Sequence, residues 1–153
     1  MIAPDAGDLF SRGGFGIRWK IDGHQTAQRF SVVHHPMAPR TLAAPLHRHH
    51  REDEYSYVLT GTLGALLGDD VVTAGPGTWV FKPRGQWHTF WNAGDTACEI
   101  IEVISPAGFE DYFRALAAAW PNLEKFSEIA RRYELDVDVA SVPTLCARFG
   151  VTL

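Results

Sequence analysis

Within ten positions, Pro45 to Glu54, the chain places three imidazoles and three acidic residues: His47, His49, His50, Glu52, Asp53 and Glu54. His47 and His49 are two residues apart. On a β-strand both rings leave the same face, with Cα atoms roughly 6.5–7 Å apart. Two such rings can share one ion at a bond length of about 2.1 Å. His50 would point to the opposite face. Glu54 opens the next strand after a short acidic turn and can return to the same place from a neighbouring strand. His88 follows much later, just past the Lys82-Pro83-Arg84-Gly85 turn. Three neutral imidazoles and one carboxylate suit iron(II), nickel(II), manganese(II), cobalt(II) or zinc(II). Four protein ligands on a six-coordinate ion leave two positions for reactants. Glu54 is the only acidic member of the set, which makes it the candidate catalytic base.

The elements that must position these residues are short and numerous. β-type runs separated by glycine and proline are read at Gly16–Ile21, Ala27–His35, Leu42–His49, Glu54–Thr60, Leu63–Leu67, Val71–Ala74, Thr78–Phe81, His88–Asn92 and Ala97–Ile104. Gly68-Asp69-Asp70 is a hairpin signal. So many short strands in one domain favour an all-β sandwich or barrel. Alternation from Glu54 turns Ser56 and Val58 inward, and alternation from His88 does the same for Gln86 and Phe90. These four are the expected pocket lining. By the same rule Tyr55, Tyr57, Trp87 and Trp91 face away from the metal, with Trp79 undecided. His24, His34 and His35 match no ligand spacing and read as surface or core histidines.

After Ser105 the pattern turns helical. Ser105 is the expected N-cap, with Pro106 at the first helical position. Phe109, Tyr112, Phe113, Leu116 and Trp120 share one helical face, and Pro121 ends that helix. Leu123, Phe126, Ile129, Ala130 and Tyr133 repeat the spacing. The expectation is two amphipathic helices that cover the barrel or a partner subunit, rather than a lid or an extra wall over a pocket. Residues 1–105 then form a barrel, 106–135 a helical extension packed on it, and 136–153 an unassigned tail, all within one structural domain.

The full spacing of the histidine cluster resembles the two signature motifs of the cupin family. The first runs His-x-His, four residues, Glu, six residues, Gly, and is met by His47, His49, Glu54 and Gly61. The second runs Gly, five residues, Pro-x-Gly, two residues, His, three residues, Asn, and is met by Gly77, Pro83, Gly85, His88 and Asn92. Thr41 stands where the family carries a leading glycine. The resemblance implies a small antiparallel jelly-roll barrel with C-terminal helices and one divalent transition metal inside, held by His47, His49, Glu54 and His88. The phrases Pro45-Leu46-His47-Arg48-His49, Tyr57-Val58-Leu59 and Ser105-Pro106-Ala107-Gly108-Phe109 are similar to single-domain, quercetin-dioxygenase-like members. They imply a metal-dependent dioxygenase on a small enolisable or aromatic substrate. A metal-dependent isomerase or lyase, or a non-catalytic small-ligand-binding protein, are the alternatives, because the family serves many chemistries.

Composition narrows the partners. The 153 residues carry 14 Lys and Arg against 18 Asp and Glu, a net charge of −4. That balance lacks the positive excess that displaces counterions from nucleic acid. No apolar run approaches a membrane span, and the opening MIAPDAGDLFSRGG does not read as a secretory signal. Cys98 and Cys146 fit no metal or redox spacing and suit free thiols in a reducing cytoplasm. Five tryptophans and the edge strands of a barrel predict a homodimer that covers apolar surface.

Overall fold

Alternation of apolar and polar side chains builds the longest strands. In β3 (Ser31–Met37) and β10 (Cys98–Ser105) every second residue is buried, the period that a pleated strand imposes. The computed structural model describes residues 1–122 and 125–153. Its other strands are β1 (Leu9–Arg12), β2 (Phe15–Ile21), β4 (Leu46–His49), β5 (Asp53–Thr60), β6 (Leu63–Leu67), β7 (Asp70–Ala74), β8 (Trp79–Lys82), β9 (His88–Asn92) and β11 (Leu135–Asp138). They form a six-stranded sheet in the order β1-β2-β3-β10-β5-β8 and a five-stranded sheet in the order β11-β4-β9-β6-β7. All named pairings are antiparallel. The two sheets pack face to face as a jelly roll and do not close into a continuous barrel.

Met37, Val58, Leu63, Phe90 and Ile100 fill the space between the layers. Burial of each such side chain contributes about 1.5–3 kcal/mol. A second cluster joins Ile17, Val33 and Ile104 to Phe109, Ala130 and Leu135, so the helical region shares the core. Gly61 and Gly85 turn the chain at φ of +77° and +79°, where an L side chain is disfavoured. At Gly61 a Cβ would also stand 2.5 Å from the Ala97 carbonyl oxygen.

Several boundaries differ from the sequence pattern. Ala27 and Gln28 have φ of 53° and 61°, so the third strand begins only at Ser31. Thr41 and Leu42 make isolated bridges to Thr152 and Trp91 instead of extending β4. Ser105 does not cap a helix, because it still pairs with Asp53 in the sheet and its hydroxyl donates to the Arg29 carbonyl at 3.0 Å. Helix α1 (Glu110–Ala119) therefore starts later. Helix α2 (Phe126–Arg132) follows the second pattern, whose Leu123 lies outside the described residues. The tail is ordered: β11 extends the five-stranded sheet beside β4, and α3 (Val142–Phe149) packs on its outer face, where Phe149 stacks on Trp91 at 3.9 Å. No helix among the described residues is long and apolar enough to cross a membrane. Cys98 and Cys146 are unpaired.

Candidate metal centre

Both sheets contribute donors to one point. His47 and His49 extend from β4, His88 from β9 directly opposite His47, and Glu54 from β5 in the facing sheet. One ligand atom of each lies within 4.8 Å of the others. All four side chains are buried. The rings of His47 and His88 are 4.3 Å apart between centroids, and those of His49 and His88 are 5.5 Å apart. His50 projects to solvent and meets Asp136 at 2.8 Å.

Hydrogen bonds fix the orientation of two rings. Nδ1–H of His47 donates to the Pro45 carbonyl at 2.8 Å, and Nδ1–H of His88 donates to the Gln86 carbonyl at 3.0 Å. In that tautomer each Nε2 carries a lone pair. Nε2 of His88 then faces Glu54 Oε2 at 3.2 Å, acceptor against acceptor. Both nitrogens of His49 are buried without a hydrogen-bond partner. Their nearest carboxylates, Glu54 Oε1 at 3.4 Å and Glu52 Oε2 at 3.6 Å, are too far or too poorly aligned to serve. A divalent cation among these atoms resolves the opposed lone pairs and the orphaned nitrogens together. The donor set therefore fits a metal.

Electrostatics point the same way. Burial, reinforced by the neighbouring imidazoles, holds His47 well below the usual histidine range, and burial lowers His88. Both rings are kept in the neutral form that binds metal. Burial alone would raise Glu54, but the charge of Lys82 holds its carboxyl well below the usual range. The Lys82 ammonium sits fully buried on β8, opposite Glu54, with Nζ 3.0 Å from Glu54 Oε2 and 2.7 Å from Glu102 Oε2. Burial opposes its charge, and the two carboxylates more than restore it. Burial also pushes Glu102 up to about 7, against the pull of Lys82. Two carboxylates share one ammonium, and Glu54 ionises first.

Residues 33–104 match the cupin domain family. The matched segment is a little under half of the chain. Solved structures with the same fold include KdgF from Halomonas sp., at 16% identity and a TM-score of 0.63, covering 72% of this chain and 96% of that one. A predicted oxalate decarboxylase from Thermotoga maritima matches at 19% identity and a TM-score of 0.63, with 69% and 98% covered. The Streptomyces nucleoside dehydratase Pac13 matches at 16% and 0.57, with 72% and 85% covered. No curated protein matches the chain.

Through His47 and Glu54 this cluster opens onto a cavity of about 520 Å³. Phe109, Tyr112, Phe113, Leu116 and Trp120, the residues of the first helical stripe, all line it. That stripe is a cavity wall rather than a cover over a finished barrel. Of the four positions expected to line the cavity, Phe90 does. Ser56 is inward and buried, but its hydroxyl donates to both oxygens of Glu102, at 3.1 and 2.9 Å, behind the cavity surface. Val58 sits deeper, in the core between the sheets. Gln86 offers its carbonyl to His88, while its side chain lies beside Gly68.

Trp87 corrects the alternation argument. It lines the cavity, with the Arg48 guanidinium 5.0 Å over its ring, because it lies in the turn before β9, where strand alternation does not apply. Trp91 faces away from the metal, as expected. So do Tyr55 and Tyr57, which pack on Phe81 and Trp79 at 4.8 Å each. His35, matched to no ligand spacing, is buried in the cavity wall with Nδ1 on the Gly16 carbonyl at 2.9 Å. Burial lowers it to about 4. Sequence reasoning missed Lys82, Glu102 and Glu52. Lys82 and Glu102 each occupy an inward position opposite an inward residue of β5, Glu54 and Ser56 respectively.

Proposed function

We propose that this cupin is a metal-dependent dioxygenase acting on a small enolisable or aromatic substrate, with Glu54 both a metal ligand and the base. The observation that carries the reading is a buried three-histidine, one-carboxylate set at the floor of an aromatic-lined cavity large enough for a small organic ligand. A divalent metal held by His47, His49, Glu54 and His88 would supply Lewis acidity and hold the reactants together. The aromatic wall excludes water from the enol, and Glu54 accepts the enol proton on a carboxylate oxygen while Lys82 Nζ stays on Oε2.

A second reading, a metal-dependent isomerase or lyase, is favoured by Lys82 and Glu102. Glu54 is held acidic, whereas Glu102 lines the cavity with a pKa near neutrality, the match that proton transfer at pH 7 requires. The dehydratase and decarboxylase named among the solved structures are consistent with that chemistry. An oxygen electrode separates the two readings. With flavonols and simple enediols as the panel, the dioxygenase consumes oxygen. Glu54→Gln is then expected to lose turnover at least 100-fold with little change in metal content or KM. Conversion that proceeds equally without oxygen, and falls in Glu102→Gln, moves the function to the second reading. Ligand binding with no conversion in either atmosphere leaves a small-ligand-binding protein.

We also propose a homodimer formed through the outer face of β5 and β8. β8 is a sheet edge, and Trp79 and Phe81 on it are 58% and 48% exposed. An exposed aromatic face at the end of a sheet invites packing against its own copy, which covers both aromatic pairs. Light scattering at micromolar concentration should give twice the 17.0 kDa chain mass; a clean monomer would sink the idea. The two free thiols suit a reducing, cytoplasmic compartment.

A further inference from the structure

Every acidic side chain that lines the cavity is paired with a cation. Glu54 and Glu102 share Lys82, and Asp136 takes Arg48. The converse fails at the exposed Arg131 and, within the half-buried wall, at Arg12. Its half-buried guanidinium lines the same cavity, yet among the described residues it has no carboxylate within 4.0 Å and makes no side-chain hydrogen bond. It lies only against the Trp120 ring, 5.4 Å from the centroid. Burial lowers its pKa, and only Tyr112 opposes that shift. A guanidinium carries five donors in a planar fork that fits a carboxylate. Setting such a group against an apolar wall without a counterion is costly.

The place of Arg12 in the fold sets its distance from the metal-ligand cluster. Arg12 ends β1, the outer strand of the six-stranded sheet, while Glu54 lies on β5, four strands across in the order β1-β2-β3-β10-β5. Four strand spacings amount to about 19 Å along the curved sheet. Between the two ends the lining is aromatic, including Phe15, Phe109 and Phe113.

We infer that the ligand of this cavity is an amphipathic monoanion: an aromatic or otherwise apolar body whose carboxylate is paired by Arg12 at the end away from the metal cluster. The inference rests on the proposal that this cavity is the substrate site. It makes Arg12 the residue that selects an anionic substrate over its neutral analogue.

The test uses the protein as purified, with 4-phenylbutanoate and its neutral isostere 4-phenylbutanamide as probes. Trp87 and Trp120 line the cavity and report binding by their fluorescence. Calorimetry provides an independent affinity. The parent should bind the carboxylate at least tenfold more tightly than the amide. Arg12→Gln should bring the two within twofold, with amide affinity unchanged, while Arg12→Lys should keep part of the preference. Arg12 is half exposed and tied to no network, so both variants should match the parent in circular dichroism. Repeating the pair in the His47→Ala, His49→Ala background separates Arg12 from the metal. A preference that survives there supports Arg12; one that disappears assigns anion selection to the metal and overturns the inference. Equal affinity of the parent for both probes also overturns it, while leaving the cavity as a binding site. Absence of binding by either probe overturns the cavity as the site, and both readings with it.

Discussion

Lys82→Met is expected to cost about 3–5 kcal/mol of stability, among the largest effects available to a single substitution in this protein. Lys82 is 1% exposed and lies between Glu54 Oε2 and Glu102 Oε2 at 3.0 and 2.7 Å. Methionine keeps much of the volume and the contact with Phe90, over whose ring the ammonium sits at 4.3 Å. It leaves two carboxylates buried in one place without their shared cation. Part of the cost is avoided if Glu102 takes up a proton, since burial already pushes it up to about 7. The loss should therefore grow as pH rises past that value. Adding Glu102→Leu removes the second charge and should recover part of the loss at pH 8, the remainder being the Glu54 carboxylate still buried without its ammonium. Urea denaturation of the parent, Lys82→Met and the double variant at pH 6 and pH 8 checks the set. A Lys82→Met protein as stable as the parent at pH 8 would show that the ammonium does not hold these carboxylates.

The other large effect is on metal content. Protein purified without chelator is expected to carry close to one divalent transition ion per chain, measured by elemental analysis. His47→Ala with His49→Ala should reduce that to background, since it removes two of four donors from one strand face. Saturating metal stabilises the fold by mass action, about 4 kcal/mol at a free concentration 1,000-fold above Kd. The parent should therefore melt at a higher temperature with added metal, and the double variant should not respond. Full metal in the double variant would place the ion elsewhere. Chelation of the parent tests the same point without mutation, by lowering its melting temperature to the metal-independent value.

Local spacing alone made the candidate metal-ligand cluster legible. His47 and His49 project together because a strand repeats every two residues, and the distances from Glu54 to Gly61 and from Gly77 to Asn92 resemble a family pattern that already pairs the two strands. A sandwich or barrel of short strands was legible for the same reason, since alternation and turn glycines are short-range features, whereas the jelly-roll order was implied only by the family resemblance. The cavity was not, because its walls come from segments distant in sequence. Alternation correctly turned Ser56 and Val58 inward, but only packing decided that Glu102 would cover one and the inter-sheet core the other. Trp87 escaped because a turn residue has no strand period. Asp136–Leu153 had no readable pattern, since β11 is a strand only through its pairing with β4. Lys82 and Glu102 gave a faint signal, each a charged residue at an inward position beside apolar neighbours. Whether such a charge is tolerated depends on a counter-charge across the sheet, and that pairing is a property of register, which the folded chain sets.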